Sequence, residues 1–159
     1  MSAEAGVALA MDMISYGRQH IDEDDIRAVV ECLRSGALTQ GPKVAELEQA
    51  VSAYVGARFA VAISNGTAAL HLAVMAADVA PDATVITSPI TFVASANAAL
   101  YVGARPVFSD VDPGTINLSP PALAEALVRN PGTQAVIPVH FAGLPCDMAA
   151  IQASADHAG

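Results

Sequence analysis

The sequence predicts an α/β fold: a mainly parallel sheet with helices covering both faces. Three observations predict it. From residue 58 onward, short and continuous apolar runs alternate with stretches of helical character, the rhythm of a sheet buried on both sides. Clusters of Gly, Pro, Ser, Asn and Asp punctuate the alternation, as turns require. The chain of 159 residues is 53% hydrophobic, the size of one domain with a sizeable core. Its formal net charge of −9 leaves no basic patch for a nucleic acid and no polybasic face for a membrane.

Residues 1–13 read as a disordered tail. Their apolar run, Gly6 to Met11, is too short for a membrane span and follows no basic residue, unlike a signal peptide. The working start is expected near Met11 or Met13. Residues 14–57 are predicted as a helical segment. Its first helix, Ile21 to Leu33, places Ile21, Ile26, Val29, Val30 and Leu33 on one face and Asp22, Glu23, Asp24 and Asp25 in its first turn, where negative charge suits the dipole. That acidic run reads as a solvated helix start rather than a metal site. Gly36 stops the helix, residues 37–41 form a loop, and Pro42 opens a second helix with Val44, Leu47, Val51 and Tyr54 inward.

Residues 58–159 are predicted as a partial α/β domain. Strands are expected at Phe59–Ile63, Thr84–Thr87, Pro106–Ser109 and Ala135–Val139. Between and after them fall helices ending near Ala77 and Tyr101, one capped by Asn117 to Pro121 with Leu123, Leu127 and Val128 inside, and one from Asp147 to His157. Cys32 and Cys146 are far apart and belong to no CxxC pair, so a cytoplasmic protein with reduced thiols is expected.

In such sheets ligands sit beyond the carboxyl ends of the strands. There the sequence places Ser64–Thr67, Ser88–Phe92, Asp110–Asp112 and His140–Gly143. The turn Ser64-Asn65-Gly66-Thr67 leads from a strand into a helix. Backbone amides and the helix dipole converge there, a seat for a phosphate. Gly66 lets a ligand approach the backbone, and the Thr67 hydroxyl can donate one more bond. An ordinary turn with a Thr cap reads the same residues without a ligand. Phe92 can stack on a flat heteroaromatic ring or pack under its helix. Ser95 and Asn97 are expected to face solvent or cap locally, and His71 to be a satisfied histidine. His140 has no metal-like companion, and Asp110 and Asp112 suit Asx turns better than acid catalysis. No nucleophile elbow, Walker loop or dinucleotide fingerprint is present.

Five runs, in order, carry a resemblance: Ile14-Ser15-Tyr16-Gly17-Arg18-Gln19, Leu38-Thr39-Gln40-Gly41-Pro42, Ser64 to Leu70, Thr87 to Ala94 and Pro138 to Gly143. With them the chain resembles the N-terminal part of the DegT/DnrJ/EryC1/StrS sugar-nucleotide aminotransferases. The resemblance implies the large domain of a fold-type I transferase, C-terminally truncated, that uses pyridoxal 5′-phosphate. Gly66 and Thr67 would hold the cofactor phosphate and Phe92 would stack on its ring. Tyr16, Gly36, Ala37, Leu38 and Thr39 would contact the sugar nucleotide near a dimer interface. The wording of the second, fourth and fifth runs is most similar to the pseudaminic-acid branch, which aminates C4 of a UDP-linked 4-keto-6-deoxy-N-acetylhexosamine with glutamate as the usual donor. A homodimer is implied for the full-length protein, with no nucleic-acid or membrane partner.

In that family the Schiff-base lysine and the aspartate on the pyridinium nitrogen fall beyond the position of Gly159. The single lysine here, Lys43, begins a helix and reads as a surface residue. No catalytic residue is therefore expected in this chain, and it is expected not to transaminate alone. The strand after residue 159 is expected between strands two and four, so that central strands are missing and edges stay open. A non-catalytic cofactor- or sugar-nucleotide-binding module of the same fold is the alternative. An unrelated nucleotide-binding domain would want an acidic residue closing strand two, where Thr87-Ser88-Pro89 stand instead.

Overall fold

The computed structural model describes residues 17, 19–39 and 41–159. They divide into two units, with the boundary between Ala62 and Ile63.

The first unit carries helices α1 (Glu23–Arg34) and α2 (Pro42–Val55). The acidic start of α1 is a capping box. The Asp22 carboxylate accepts from the amides of Asp24 and Asp25 at 2.9 and 3.1 Å, and Asp25 reaches back to the Asp22 amide at 3.1 Å. Asp22→Ala is expected to cost α1 about 0.5–2 kcal/mol, visible as faster amide exchange in its first turn. Gly36 ends α1 with φ +75, the left-handed residue that lets the chain leave a helix.

The inward faces expected of both helices are not covered. Ile21, Ile26, Val29, Leu33, Val44, Leu47, Val51 and Tyr54 are all exposed, and neither helix has a fully buried residue. Amphipathic spacing states which face favours burial; it does not state that the covering surface lies among the described residues. Residues 59–63, expected as the first strand, form no ladder among the described residues. Phe59 and Val61 are exposed, and the Ala62 amide donates to the Glu48 carboxylate at 2.8 Å. An apolar run becomes a strand only where another backbone pairs with it.

The second unit runs α3 (Gly66–Ala76), β1 (Thr84–Thr87), α4 (Ala94–Tyr101), β2 (Arg105–Phe108), α5 (Pro120–Arg129), β3 (Thr133–Ile137), a 3-10 turn Phe141–Gly143 and α6 (Met148–Ala158). The three strands are parallel in the order β2-β1-β3, with Ile86 opposite both Val107 and Val136. β1 is β-branched at all four positions, Thr84-Val85-Ile86-Thr87, and buried along its length, as stiff branched chains on a pleated surface favour.

Successive residues of β1 face opposite layers. Val85 joins Val74, Val79, Ala98, Ala99 and Ala104 in the core beneath α3 and α4. Ile86 joins Leu118, Leu123, Ala126, Leu127, Cys146 and Ile151 beneath α5 and α6. Helices thus cover both faces, as expected. Two other expectations are corrected. β1 and β3 pair directly, so no strand is missing between them and β1 has both its neighbours. Val128, expected inside, is 82% exposed; the inward positions of α5 are Leu123, Ala126 and Leu127, and the next residue turns away at 100° per step.

Candidate functional site

β1 delivers the chain to Thr87, and residues 88–93 lead into α4, which returns it to the start of β2. α3 feeds the start of β1 through residues 77–83 and packs on α4. Both helices therefore begin at the carboxyl end of the sheet, which brings Gly66, Thr67 and Phe92 to one rim.

Asn65 caps α3 rather than a threonine. Its backbone is extended and its side chain accepts from the Ala68 amide at 2.9 Å. That bond and the one from the Ala69 amide to the Asn65 carbonyl at 3.1 Å occupy the third and fourth amides of the helix. The amides of Gly66 and Thr67 have no partner among the described residues. A Cβ placed on Gly66 would meet nothing within 4 Å. The rim thus offers two free N–H groups, the positive end of a helix dipole and open space at the one residue without a side chain, a fit for a phosphate group.

Phe92 does not pack under its helix: the residue is 74% exposed, and its ring is free to cover a flat ligand. Ser95, expected to face solvent or cap locally, is buried and shares a local 2.8 Å hydrogen bond with the Thr91 hydroxyl. The pair satisfies two polar groups at the start of α4 and fixes the turn from which Phe92 projects. Ser88 holds the same turn through the Ile90 amide at 3.2 Å.

At the end of β2, Asp112 accepts from the amides of Gly114 and Thr115 and from the Thr115 hydroxyl, the expected Asx geometry. Asp110 takes the Val111 amide at 2.8 Å. The Ser109 hydroxyl is buried with no partner among the described residues. At the end of β3 the segment His140–Cys146 is tied down by Asn117, assigned from sequence only to a helix cap, whereas Ser119 makes that cap. Asn117 is 4% exposed. Its amide group donates to the carbonyls of Leu144 and Pro145 at 3.0 and 3.1 Å and its oxygen accepts from the Phe141 amide at 2.8 Å. No local pattern in the sequence marks these bonds, which join residues 24 to 28 positions apart. His71 rests against Tyr101, ring centroids 5.1 Å apart.

Gly36, Ala37, Leu38 and Thr39 lie in the first unit, in the turn between α1 and α2. The Ala37 amide donates to the Ser35 hydroxyl at 3.2 Å. A Cβ on Gly41 would fall 2.9 Å from the Ala37 carbonyl oxygen, so the bend tolerates only glycine there. Tyr16 lies outside the described residues.

Lys43 is exposed on α2 and pairs with Glu46 at 2.7 Å. That hydrogen bond and charge hold its ammonium above the ordinary 10.5. A nucleophilic lysine needs the opposite shift. What the pair adds to α2 is complete below the ordinary value and fades as pH rises past the raised one.

A cleft of about 1300 Å³ lies away from this rim, along the outer side of β3 between α5 and α6, lined by residues such as Leu127, Val136, Ile151 and Gln152. It follows a strand edge that no strand covers among the described residues. Among the described residues no group of His, Cys, Asp and Glu is placed to hold a metal, and no helix is long and apolar enough to cross a membrane.

A model of the DegT/DnrJ/EryC1/StrS aminotransferase family matches residues 19–159. The spore coat polysaccharide biosynthesis protein SpsC of Bacillus subtilis is 46% identical over 146 residues, which cover 92% of this chain and 37% of that protein. The solved aminotransferase from Psychrobacter cryohalolentis superposes with a TM-score of 0.81 at 35% identity, covering 87% of this chain and 35% of that one. The sugar aminotransferase Spr1654 from Streptococcus pneumoniae, solved in its pyridoxal-phosphate form, also gives 0.81 at 35% identity, over 89% of this chain and 36% of that one. The chain thus spans little more than a third of the length of these relatives.

Proposed function

Because the chain belongs to the DegT/DnrJ/EryC1/StrS aminotransferase family, we propose that it supplies the phosphate-binding part of a pyridoxal 5′-phosphate-dependent sugar aminotransferase. The observation that carries this reading is the start of α3: unpartnered Gly66 and Thr67 amides, open space at Gly66, and the exposed Phe92 ring at the same rim. When bound, the cofactor would supply the electron sink for moving an amino group. The residues of this chain would do the holding. Gly66 and Thr67 would donate to the phosphate, and Phe92 would cover the ring and exclude water from one face. Gly36 to Thr39, with Tyr16, would contact the sugar nucleotide.

The finer reading is amination at C4 of a UDP-linked 4-keto-6-deoxy-N-acetylhexosamine with glutamate as donor, as in pseudaminic-acid assembly, by a cytoplasmic homodimer in which residues 14–57 form the helical segment and 58–159 the cofactor-binding part.

Titration of the ¹⁵N-labelled chain with pyridoxal 5′-phosphate tests the reading. The Gly66 and Thr67 amide resonances are expected to move, and pyridoxal without the phosphate is expected to leave them in place. Equal shifts with both compounds would remove the phosphate role. Phe92→Ala is expected to weaken binding about 3- to 10-fold, the worth of one aromatic stack, measured in the same titration.

A further inference from the structure

His140 has no part in the function proposed above, and its surroundings give it one. It is exposed just past the carboxyl end of β3. Its Nδ1 accepts the Cys146 amide at 3.0 Å. A ring nitrogen that accepts carries no proton, so the ring proton sits on Nε2. The bond closes a short loop whose other contacts leave little freedom. Cys146 donates its thiol to the Val139 carbonyl at 3.1 Å. Asn117 ties Phe141, Leu144 and Pro145 to a buried side chain. Ala142 holds a left-handed backbone with φ +50 inside the loop, a conformation that costs a non-glycine residue energy and persists because its surroundings enforce it. Such reinforcement exceeds what a surface connection needs, and its product is one imidazole held in one tautomer at the end of the sheet where Gly66, Thr67 and Phe92 also lie.

We propose that His140 is a ligand-contacting residue: a single, fixed Nε2–H donor for an anionic oxygen, phosphate or carboxylate, of the molecule bound at this rim. The proposal rests on the reading of the rim as a cofactor site. Asn117 is its positioning residue, acting through the loop.

Two-bond ¹H–¹⁵N spectra of the labelled chain read the tautomer directly. The Nε2–H pattern is expected for His140 without any ligand; an Nδ1–H pattern would overturn the proposal. Pyridoxal 5′-phosphate and glutamate, added separately against sodium chloride of equal ionic strength, distinguish phosphate from carboxylate as the acceptor, and the His140 Nε2 resonance is expected to move with at least one. Shifts at Gly66 and Thr67 with His140 silent to both compounds would overturn the proposal and leave the phosphate site standing. Silence at all three residues would remove the underlying reading, and this proposal with it. His140→Ala is expected to weaken binding of the responding ligand about 10- to 100-fold, the worth of one hydrogen bond to a charged group. His140→Gln, whose amide can donate from a similar reach, is expected to recover most of that loss. Equal losses in both variants would make the residue merely structural.

Discussion

Ile86→Ala is expected to lower the stability of the second unit by about 2–5 kcal/mol, the range for emptying a buried aliphatic site. Ile86 is fully buried at the centre of β1, between Val107 and Val136, and belongs to the core shared with Leu118, Leu123 and Ile151. The lost side chain leaves a void bounded by two neighbouring strands and two helices. A parallel sheet held on both faces has little freedom to collapse into it. A domain of this size has about 5–15 kcal/mol in hand, so the variant sits near the threshold of folding. Urea unfolding followed by circular dichroism gives the measurement. Val128→Ser, one position past the core residue Leu127 and 82% exposed, is expected to stay within about 0.5 kcal/mol of the parent. A small loss at Ile86 would mean that the two helical layers are not packed against the sheet as described.

The second large effect separates binding from folding. Gly66→Ala introduces a Cβ into space where it meets nothing within 4 Å. Alanine in the first turn of a helix is no worse than glycine and typically better by up to about 1 kcal/mol. The melting temperature is therefore expected to hold or rise slightly. The same methyl group would stand where a phosphate must approach the backbone, and affinity for pyridoxal 5′-phosphate is expected to fall by more than about tenfold, that is by more than about 1.4 kcal/mol. Thr67→Ala, which removes one donor to a charged group, is expected to weaken binding by about 1.5–3 kcal/mol with the helix intact. Unchanged affinity in both variants would show that the α3 turn is an ordinary turn after all.

Patterns that depend on a residue's own neighbours were legible in the sequence. β1 followed from four consecutive β-branched residues, the ends of α1 from an acidic run and Gly36, and the turn into α3 from Ser64-Asn65-Gly66-Thr67. What was not legible depended on partners elsewhere. Phe59–Ile63 has the composition of a strand, yet a ladder is a property of two segments. The direct pairing of β1 with β3 joins residues fifty positions apart, which no periodicity encodes. Ser95 was expected to face solvent or to cap locally; it is buried, and the local bond with the Thr91 hydroxyl makes that burial tolerable. Asn117 was read by its local context as a cap, because its three bonds reach across 24 to 28 positions. In the candidate site, Ser64 to Thr67 drew attention by their turn and capping chemistry, which is local. His140 was noticed without a role, since the bond that its Nδ1 accepts from the Cys146 amide is not written in a local pattern.

The sheet order also sets an order of assembly. Bonds between β1 and β2 close over about 21 positions, as between Arg105 and Thr84, whereas those between β1 and β3 close over 50, as between Thr87 and Ile137. Loop-closure entropy grows with the logarithm of that separation, and the difference amounts to about 0.8 kcal/mol. The crossover unit β1-α4-β2 therefore closes at lower entropic cost than the pairing of β1 with β3. By the same measure the central strand gains β3 at a higher entropic cost than β2, whereas the Asn117 clamp, whose bonds span only 24 to 28 positions, closes at a cost close to that of β1 with β2.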